Sequence, residues 1–314
     1  MPNQNSKPCR SSFSRSPHPN PLPAGEGTEN AIAAILTVFI VALLLAGPAA
    51  AAAPRNTRSL GVVEFDTKSE YSHIRVRHQG TVRSLIFVRD SGEEAVQTMV
   101  NIKKPYELLH AYARTMFASY LLVPKQEKVL IVGLGGGAMV HFLKHYDPDV
   151  HVDALEIDPA VVKVADRYFY IRSAGNVNIM TDDGIKYLEN TDNRYDAIYM
   201  DAFLKPSQDT DATGKPLAMK TAQFYKEVQK RLTHEGIVVF NVNPHKALDA
   251  DLRMIHDAFA QTYVFHTADT NIVVLATMTT AREDAAALRI RAKELDHRFK
   301  ATFSFQDILK TMSR

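Results

Sequence analysis

The chain has 314 residues, enough for one large domain or two modest ones, and its 46% hydrophobic and 23% charged shares are those of an ordinary globular protein. A net charge of +2 without a dense Lys/Arg block argues against nucleic acid or an acidic membrane surface as a partner. The single cysteine, Cys9, excludes an internal disulfide and any multi-thiolate metal centre. Residues 1–30 are rich in Pro, Ser and Asn, and the stretch Ser16–Pro23 suits neither a helix nor a central strand, so a disordered leader is expected. Residues 31–53 form an apolar run broken by Gly47-Pro48 and closed by Ala49–Ala53, the pattern of a signal peptide with a small-residue cleavage site or of an uncleaved anchor. Export to the periplasm or anchoring in the inner membrane follows, with the membrane met only through this segment. Glu26 and Glu29 just ahead of the apolar run do not suit a basic n-region, which suggests a start placed too far upstream; a miscalled leader would leave the protein cytoplasmic.

Residues 60–104 read as a small β-domain. Leu60–Phe65, Tyr71–Arg77, Val82–Val88 and Val96–Ile102 cluster β-branched and aromatic residues, and the turns between them are too short for crossovers, so an antiparallel meander is expected. Tyr106–Leu122 has helical spacing. From Lys128 strands and helices alternate: strands at Val129–Val132, His151–Glu156, Asn176–Met180, Tyr195–Met200 and Gly236–Asn241, helices at Met139–His145, Pro159–Tyr168, Gly184–Glu189, Thr221–Leu232 and Leu248–Ala260. Thr262–Thr267 and Asn271–Thr277 close the run as an antiparallel pair. The fold class is therefore α/β, a doubly wound, mostly parallel sheet over residues 105–280, with residues 281–314 as a helical tail.

The first strand-to-helix turn reads Gly133-Leu-Gly135-Gly136-Gly137-Ala138, where glycines let the chain turn tightly and a ligand approach the backbone. A nicotinamide dinucleotide loop has the same appearance. Glu156 ends the second strand, where a carboxylate can accept from ribose hydroxyls; Asp183-Gly184 follows the third strand, where one can accept from an adenine amino group. Asp201 follows the fourth. A carboxylate after each of three strands suits a cationic sulfonium nucleoside and would repel a pyrophosphate. His141 and His145 have the spacing of a metal pair but no apparent third ligand, so a solvated helix face is favoured and no metal is expected.

The blocks Val129–Gly137, Leu155-Glu-Ile-Asp-Pro-Ala-Val-Val162, Asp183-Gly184 and Tyr195-Asp-Ala-Ile-Tyr-Met-Asp201 together resemble the spermidine synthase family of polyamine aminopropyltransferases, within the methyltransferase-like Rossmann folds. The resemblance runs from about Leu60 to Thr277. It implies transfer of an aminopropyl group from decarboxylated S-adenosylmethionine to a small-molecule amine, and it is compatible with a homodimer. It places the nucleoside against Gly133, Gly135, Gly136, Gly137, Glu156, Asp158, Asp183 and Gly184, makes Asp201 the proton acceptor, and puts Tyr112, Gln97 and Tyr71 near the amine. The amine half departs from the family. Its Asp-Glu-x-x-Tyr stretch is Leu108-Leu-His-Ala-Tyr112, the glutamine after the early tyrosine is Ser72, and Asp-Ser-Ser-Asp-Pro is Asp201-Ala-Phe-Leu-Lys-Pro206, so three expected carboxylates are absent. The alternatives are an S-adenosylmethionine-dependent methyltransferase and a non-catalytic nucleoside- or polyamine-binding protein.

Overall fold

The computed structural model describes residues 60–313, so the leader and the export or anchor segment expected within residues 1–53 lie outside the described residues. Among the described residues no helix is long and apolar enough to cross a membrane. Strands β1 (Val62–Lys68), β2 (His73–Gln79), β3 (Val82–Val88) and β4 (Glu94–Asn101) form an antiparallel meander in chain order. β1 runs past Phe65 because its polar end is paired across the sheet. Asp66 sits opposite Arg75 and accepts from its Nε at 2.6 Å and from His73 Nε2 at 2.7 Å.

The single helix expected over Tyr106–Leu122 is not formed. Residues 106–110 stay non-helical, followed by α1 (Ala111–Met116) and the single turn α2 (Ser119–Leu122). Tyr106 instead stacks on His145, ring centroids 3.7 Å apart, and Arg114 Nε donates to the Leu108 carbonyl at 2.6 Å. Side-chain stacking and that bond replace the helical ladder in this stretch. The apolar spacing there comes from Leu108 entering the core, not from a helix face.

The alternating part follows as β5 (Lys128–Val132), α3 (Ala138–Tyr146), β6 (His151–Glu156), α4 (Pro159–Phe169), β7 (Val177–Thr181), α5 (Gly184–Asn190), β8 (Tyr195–Met200), α6 (Ala222–Lys230), β9 (Leu232–Val242), α7 (Leu248–Ala258), β10 (Gln261–His266) and β11 (Ile272–Thr277). The sheet order is β10-β11-β9-β8-β5-β6-β7, with the last five parallel, β11 antiparallel to β9 and β10 antiparallel to β11. β9 starts earlier than Gly236 because Leu232 already pairs with Tyr195, and the extra residues up to Ile237 form a bulge. Alternate residues of β5 serve two cores: Val129 and Ile131 join one buried cluster, Leu130 and Val132 the other. The meander is held to this domain by Ile74, Val76, Leu85 and Val100, which pack on Val161, Val164, Tyr168 and Phe169 of α4.

The tail forms α8 (Ala285–Phe299) and α9 (Phe305–Lys310). Leu288, Ala292, Leu295 and Phe299 are buried with Phe117, Tyr120 and Phe142, so the charged helix has one fully apolar stripe in the core. What positions a site is the strand order. β6 and β7 lie on one side of β5, β8 and β9 on the other, and the order reverses between β5 and β8, where open α/β sheets leave a crevice at the carboxyl ends of the strands.

Candidate active site

A cavity of about 670 Å³ opens at that crevice, lined among others by Gly133, Gly135, Glu156, Asp183, Gly184 and Asp201. The glycine loop leaves β5 with Gly133 at φ 101°, and a Cβ there would lie 2.4 Å from the Asp201 carbonyl oxygen. Only glycine lets the ends of β5 and β8 come together this closely. Gly135 lines the cavity. Gly136 and Gly137 do not: Gly136 N–H donates to Thr98 Oγ1 at 3.1 Å, tying the loop to β4, and Gly137 caps α3 in the left-handed region.

Glu156 Oε2 accepts from Leu134 N–H and Oε1 from Asp158 N–H, both at 3.1 Å, so the side chain braces the glycine loop at the cavity wall. Burial pushes its carboxyl above the usual range, while the backbone amides of Asp158, Leu134 and Gly135 pull it down. Asp183 caps α5, accepting from Ile185 N–H at 2.9 Å, and still lines the cavity. Asp158 is placed differently from its expected cofactor role. Its carboxylate caps α4 through Ala160 N–H at 2.8 Å and accepts from Ser69 Oγ at 2.5 Å, and it does not line the cavity. Tyr71, expected near the amine, is likewise not among the lining residues; its N–H donates to Ser69 Oγ at 3.1 Å.

Asp201 is the most perturbed carboxylate on the wall. Burial raises it to about 6, against the opposing pull of Asn241, Lys215 and Tyr112. Asn241 Nδ2 donates to Oδ1 at 2.7 Å and the Tyr112 hydroxyl is 3.5 Å from Oδ2. The same hydroxyl is 3.3 Å from the Gln97 carbonyl, so Gln97 meets the site through its backbone, its side chain donating to Ala95 O. Behind Asp201 lies Lys215, 8% exposed, with Nζ 3.3 Å from the Met200 carbonyl and 4.8 Å from the Phe203 ring centroid. Burial lowers it to about 8.

Asn241, Lys215, Asp269 and Asn271 were not singled out from the sequence. Asn241 and Asn271 sit on β9 and at the start of β11, far along the chain from the nucleoside motifs, and Asn271 Nδ2 donates to Asn241 Oδ1 at 2.7 Å. One signal was available: Asn241 ends an apolar strand just as Asp201 follows one. His141 and His145 do not form a pair. His141 Nε2 is 2.8 Å from the Phe169 carbonyl, whereas His145 carries the Tyr106 stack. Lys205, near the lost second aspartate, pairs with Asp90 at 2.7 Å.

The arrangement offers a row of carboxylates to a cation and a raised carboxyl suited to proton exchange near neutral pH. The spermine/spermidine synthase domain model matches residues 109–281 of the chain. A polyamine aminopropyltransferase of Vibrio vulnificus is 29% identical over 235 residues, covering 73% of this chain and 76% of its own. Among solved structures, spermidine synthase from Thermotoga maritima superposes with a TM-score of 0.58 at 16% identity, covering 80% of this chain and 84% of its own. Human methyltransferase-like protein 13, in complex with SAH, gives 0.56 at 22%, covering 62% and 94%. These two structural likenesses are of fold.

Proposed function

The chain belongs to the spermine/spermidine synthase family, and from that premise we propose that it transfers an aminopropyl group from decarboxylated S-adenosylmethionine to a small amine. Glu156 and Asp183 hold the ribose and adenine ends of the nucleoside. The amine nitrogen attacks the aminopropyl carbon next to the sulfonium; the new N–C bond forms as the C–S bond breaks and its electron pair goes to sulfur. Methylthioadenosine leaves as a neutral thioether, and the proton released by the amine passes to Asp201. The reading rests chiefly on Asp201, a carboxylate raised to about 6 beside the glycine loop, held by Asn241 and within reach of Tyr112. A general base works best with a pKa near the operating pH, and this one is ionised at pH 7 yet close enough to neutrality to take a proton.

Incubating the protein with decarboxylated S-adenosylmethionine and amines, and following methylthioadenosine, tests the reading. Wild type should release methylthioadenosine and Asp201→Asn should not, while both bind the nucleoside equally. Release of S-adenosylhomocysteine from S-adenosylmethionine instead would favour methyl transfer, and equal rates in both proteins would remove Asp201 from the chemistry.

A further inference from the structure

The transfer chemistry assigns no part to Lys215, yet the residue is buried, and an ammonium out of water is costly unless something compensates its charge. Its own segment does not. Asp211 and Asp251 line a small pocket with Lys215, but both are taken by Lys220 Nζ at 2.5 Å, and Lys220 adds a like charge nearby. The chain after β8 folds back on itself to put Lys215 where it is. Leu204 N–H donates to Gly214 O at 2.8 Å, Asp211 N–H to Lys215 O at 2.9 Å, and Lys215 N–H to Asp211 Oδ1 at 3.0 Å.

What the ammonium meets is the peptide that joins Met200 to Asp201. Lys215 Nζ donates to the Met200 carbonyl at 3.3 Å, and Asp201 N–H, the other polar group of that peptide, donates to the Val132 carbonyl at 2.9 Å. The backbone that carries Asp201 is therefore tied on one side to β5 and on the other to the lysine. The ring of Phe203, which lines the cavity, packs against the ammonium with its centroid 4.8 Å from Nζ. The hydrogen-bond partners of the Asp201 carboxylate, Asn241 and Tyr112, are both neutral. Burial raises Asp201 and lowers Lys215, and each charge opposes that shift in the other. With Asp201 at about 6 and Lys215 at about 8, both are charged between those values. The remaining groups on the Lys215 side are Tyr225 and His245, the latter beside Asp211 and Asp251. On the cavity side are Asp269 and His110, whose imidazole burial lowers.

We propose that Lys215 is a positioning residue for the transfer, a buried cation that fixes the Met200–Asp201 peptide and stabilises the Asp201 carboxylate in its ionised, proton-accepting form. The amine proton goes to Asp201, and Lys215 keeps its own throughout. The proposal deepens the transferase reading and rests on it for the chemistry, but not for the pairing of the two charges.

Lys215→Met removes the charge and keeps an unbranched side chain. With decarboxylated S-adenosylmethionine and 1,4-diaminobutane as probes, the acid limb of its kcat–pH profile should move upward by about one unit, the low end of what one opposite charge does to a carboxylate. For a base at about 6 in wild type, that shift means a kcat about fivefold lower at pH 6 and within about twofold at pH 9. Methylthioadenosine affinity within about twofold of wild type shows that the variant is folded. A second measurement needs no turnover. Thermal unfolding of wild type, Asp201→Asn, Lys215→Met and the double variant at pH 7 closes a cycle. Asp201→Asn should raise the melting temperature more in the Lys215→Met background than in wild type, because there the buried carboxylate has lost its cation. Equal gains in the two backgrounds, or an acid limb that does not move in Lys215→Met, overturn the assignment and leave Lys215 a packing group. Unequal gains without turnover of any amine support the pairing while removing the transferase reading.

Discussion

Asp201 carries opposite consequences for stability and for chemistry. Its carboxyl lies at about 6 instead of 3.8, because burial penalises the ionised form. The sign follows. With the folded pKa above the unfolded one, the group favours folding at acid pH, and that contribution is lost as pH rises through about 6. The shift corresponds to about 3 kcal/mol at neutral pH, as an upper figure. Asp201→Asn, which keeps the shape without the charge, should therefore unfold at a higher temperature than wild type at pH 8, with the two converging near pH 4. Transfer activity of wild type should rise with pH through about 6. A melting curve for Asp201→Asn no higher than wild type at pH 8 would mean that the carboxylate is better solvated than its surroundings suggest. Glu156 gives a second residue-scale expectation. It holds the Leu134 and Asp158 amides while lining the cavity, so Glu156→Ala should weaken methylthioadenosine binding by about 1.5–3 kcal/mol, measured by calorimetry. Unchanged affinity would take it out of the ribose site.

Between residue and fold, the segment after β8 is held by a half-buried charge cluster. Lys220 Nζ lies 2.5 Å from Asp211 Oδ2 and 2.5 Å from Asp251 Oδ2, with His245 Nε2 3.2 Å from the latter. The ammonium thus fills the space that Asp211, Asp251 and His245 would offer a cation, and pins the 201–221 segment to α7. Burial alone would raise Asp211, but Lys220 and Thr213 outweigh it and hold it at about 2. That stability is present above the unfolded value near 4 and is lost as pH falls toward about 2. Lys220→Met leaves two half-buried carboxylates facing each other and should cost at most about 3–5 kcal/mol at pH 7. Because protonation relieves the repulsion in the variant, the deficit should shrink at pH 4. Thermal unfolding at both pH values checks this, and a pH-independent deficit would assign the loss to packing. This cluster also marks a limit of sequence reading. Asp183 and Glu156 were legible because each lies at a strand end in a local motif, and strand ends are where such a sheet binds ligands. Asp211, Lys220, Asp251, Lys215 and Asp269 carry no local pattern; they meet only because loops and the antiparallel β10–β11 hairpin bring them together. Tyr106–Leu122 misled for the converse reason. Its periodicity is real, but Tyr106 answers to His145, a contact 39 residues along the chain that no local window contains.

At the scale of the molecule, strand–helix alternation from Lys128 to Thr277 was enough to indicate the doubly wound sheet, because the apolar runs of the inner strands are buried on both faces. The tail was legible as a helix but not as part of the core, since its charged residues mask a stripe only four side chains deep. Phe305 and Ile308 of α9 are 0% and 7% exposed, and beyond them the chain completes the sheet edge: His266 N–H donates to Thr311 O at 3.1 Å and Ser313 N–H to Val264 O at 2.8 Å. The tail therefore covers β10, the edge strand that would otherwise present unpaired backbone groups. Removing residues 300–314 takes away two large buried apolar side chains, Phe305 and Ile308, whose burial is worth about 1.5–3 kcal/mol each, and frees those backbone bonds. A total loss of at least about 4 kcal/mol should lower the melting temperature by about 8 °C or more for a domain of this size. The cavity is lined by none of the removed residues, so methylthioadenosine affinity measured well below the transition should stay within about twofold of wild type. The truncated chain should also associate more readily through the bared edge, visible as a larger hydrodynamic radius that grows with concentration. A melting temperature unchanged by the truncation would show that α9 rests on the core without stabilising it.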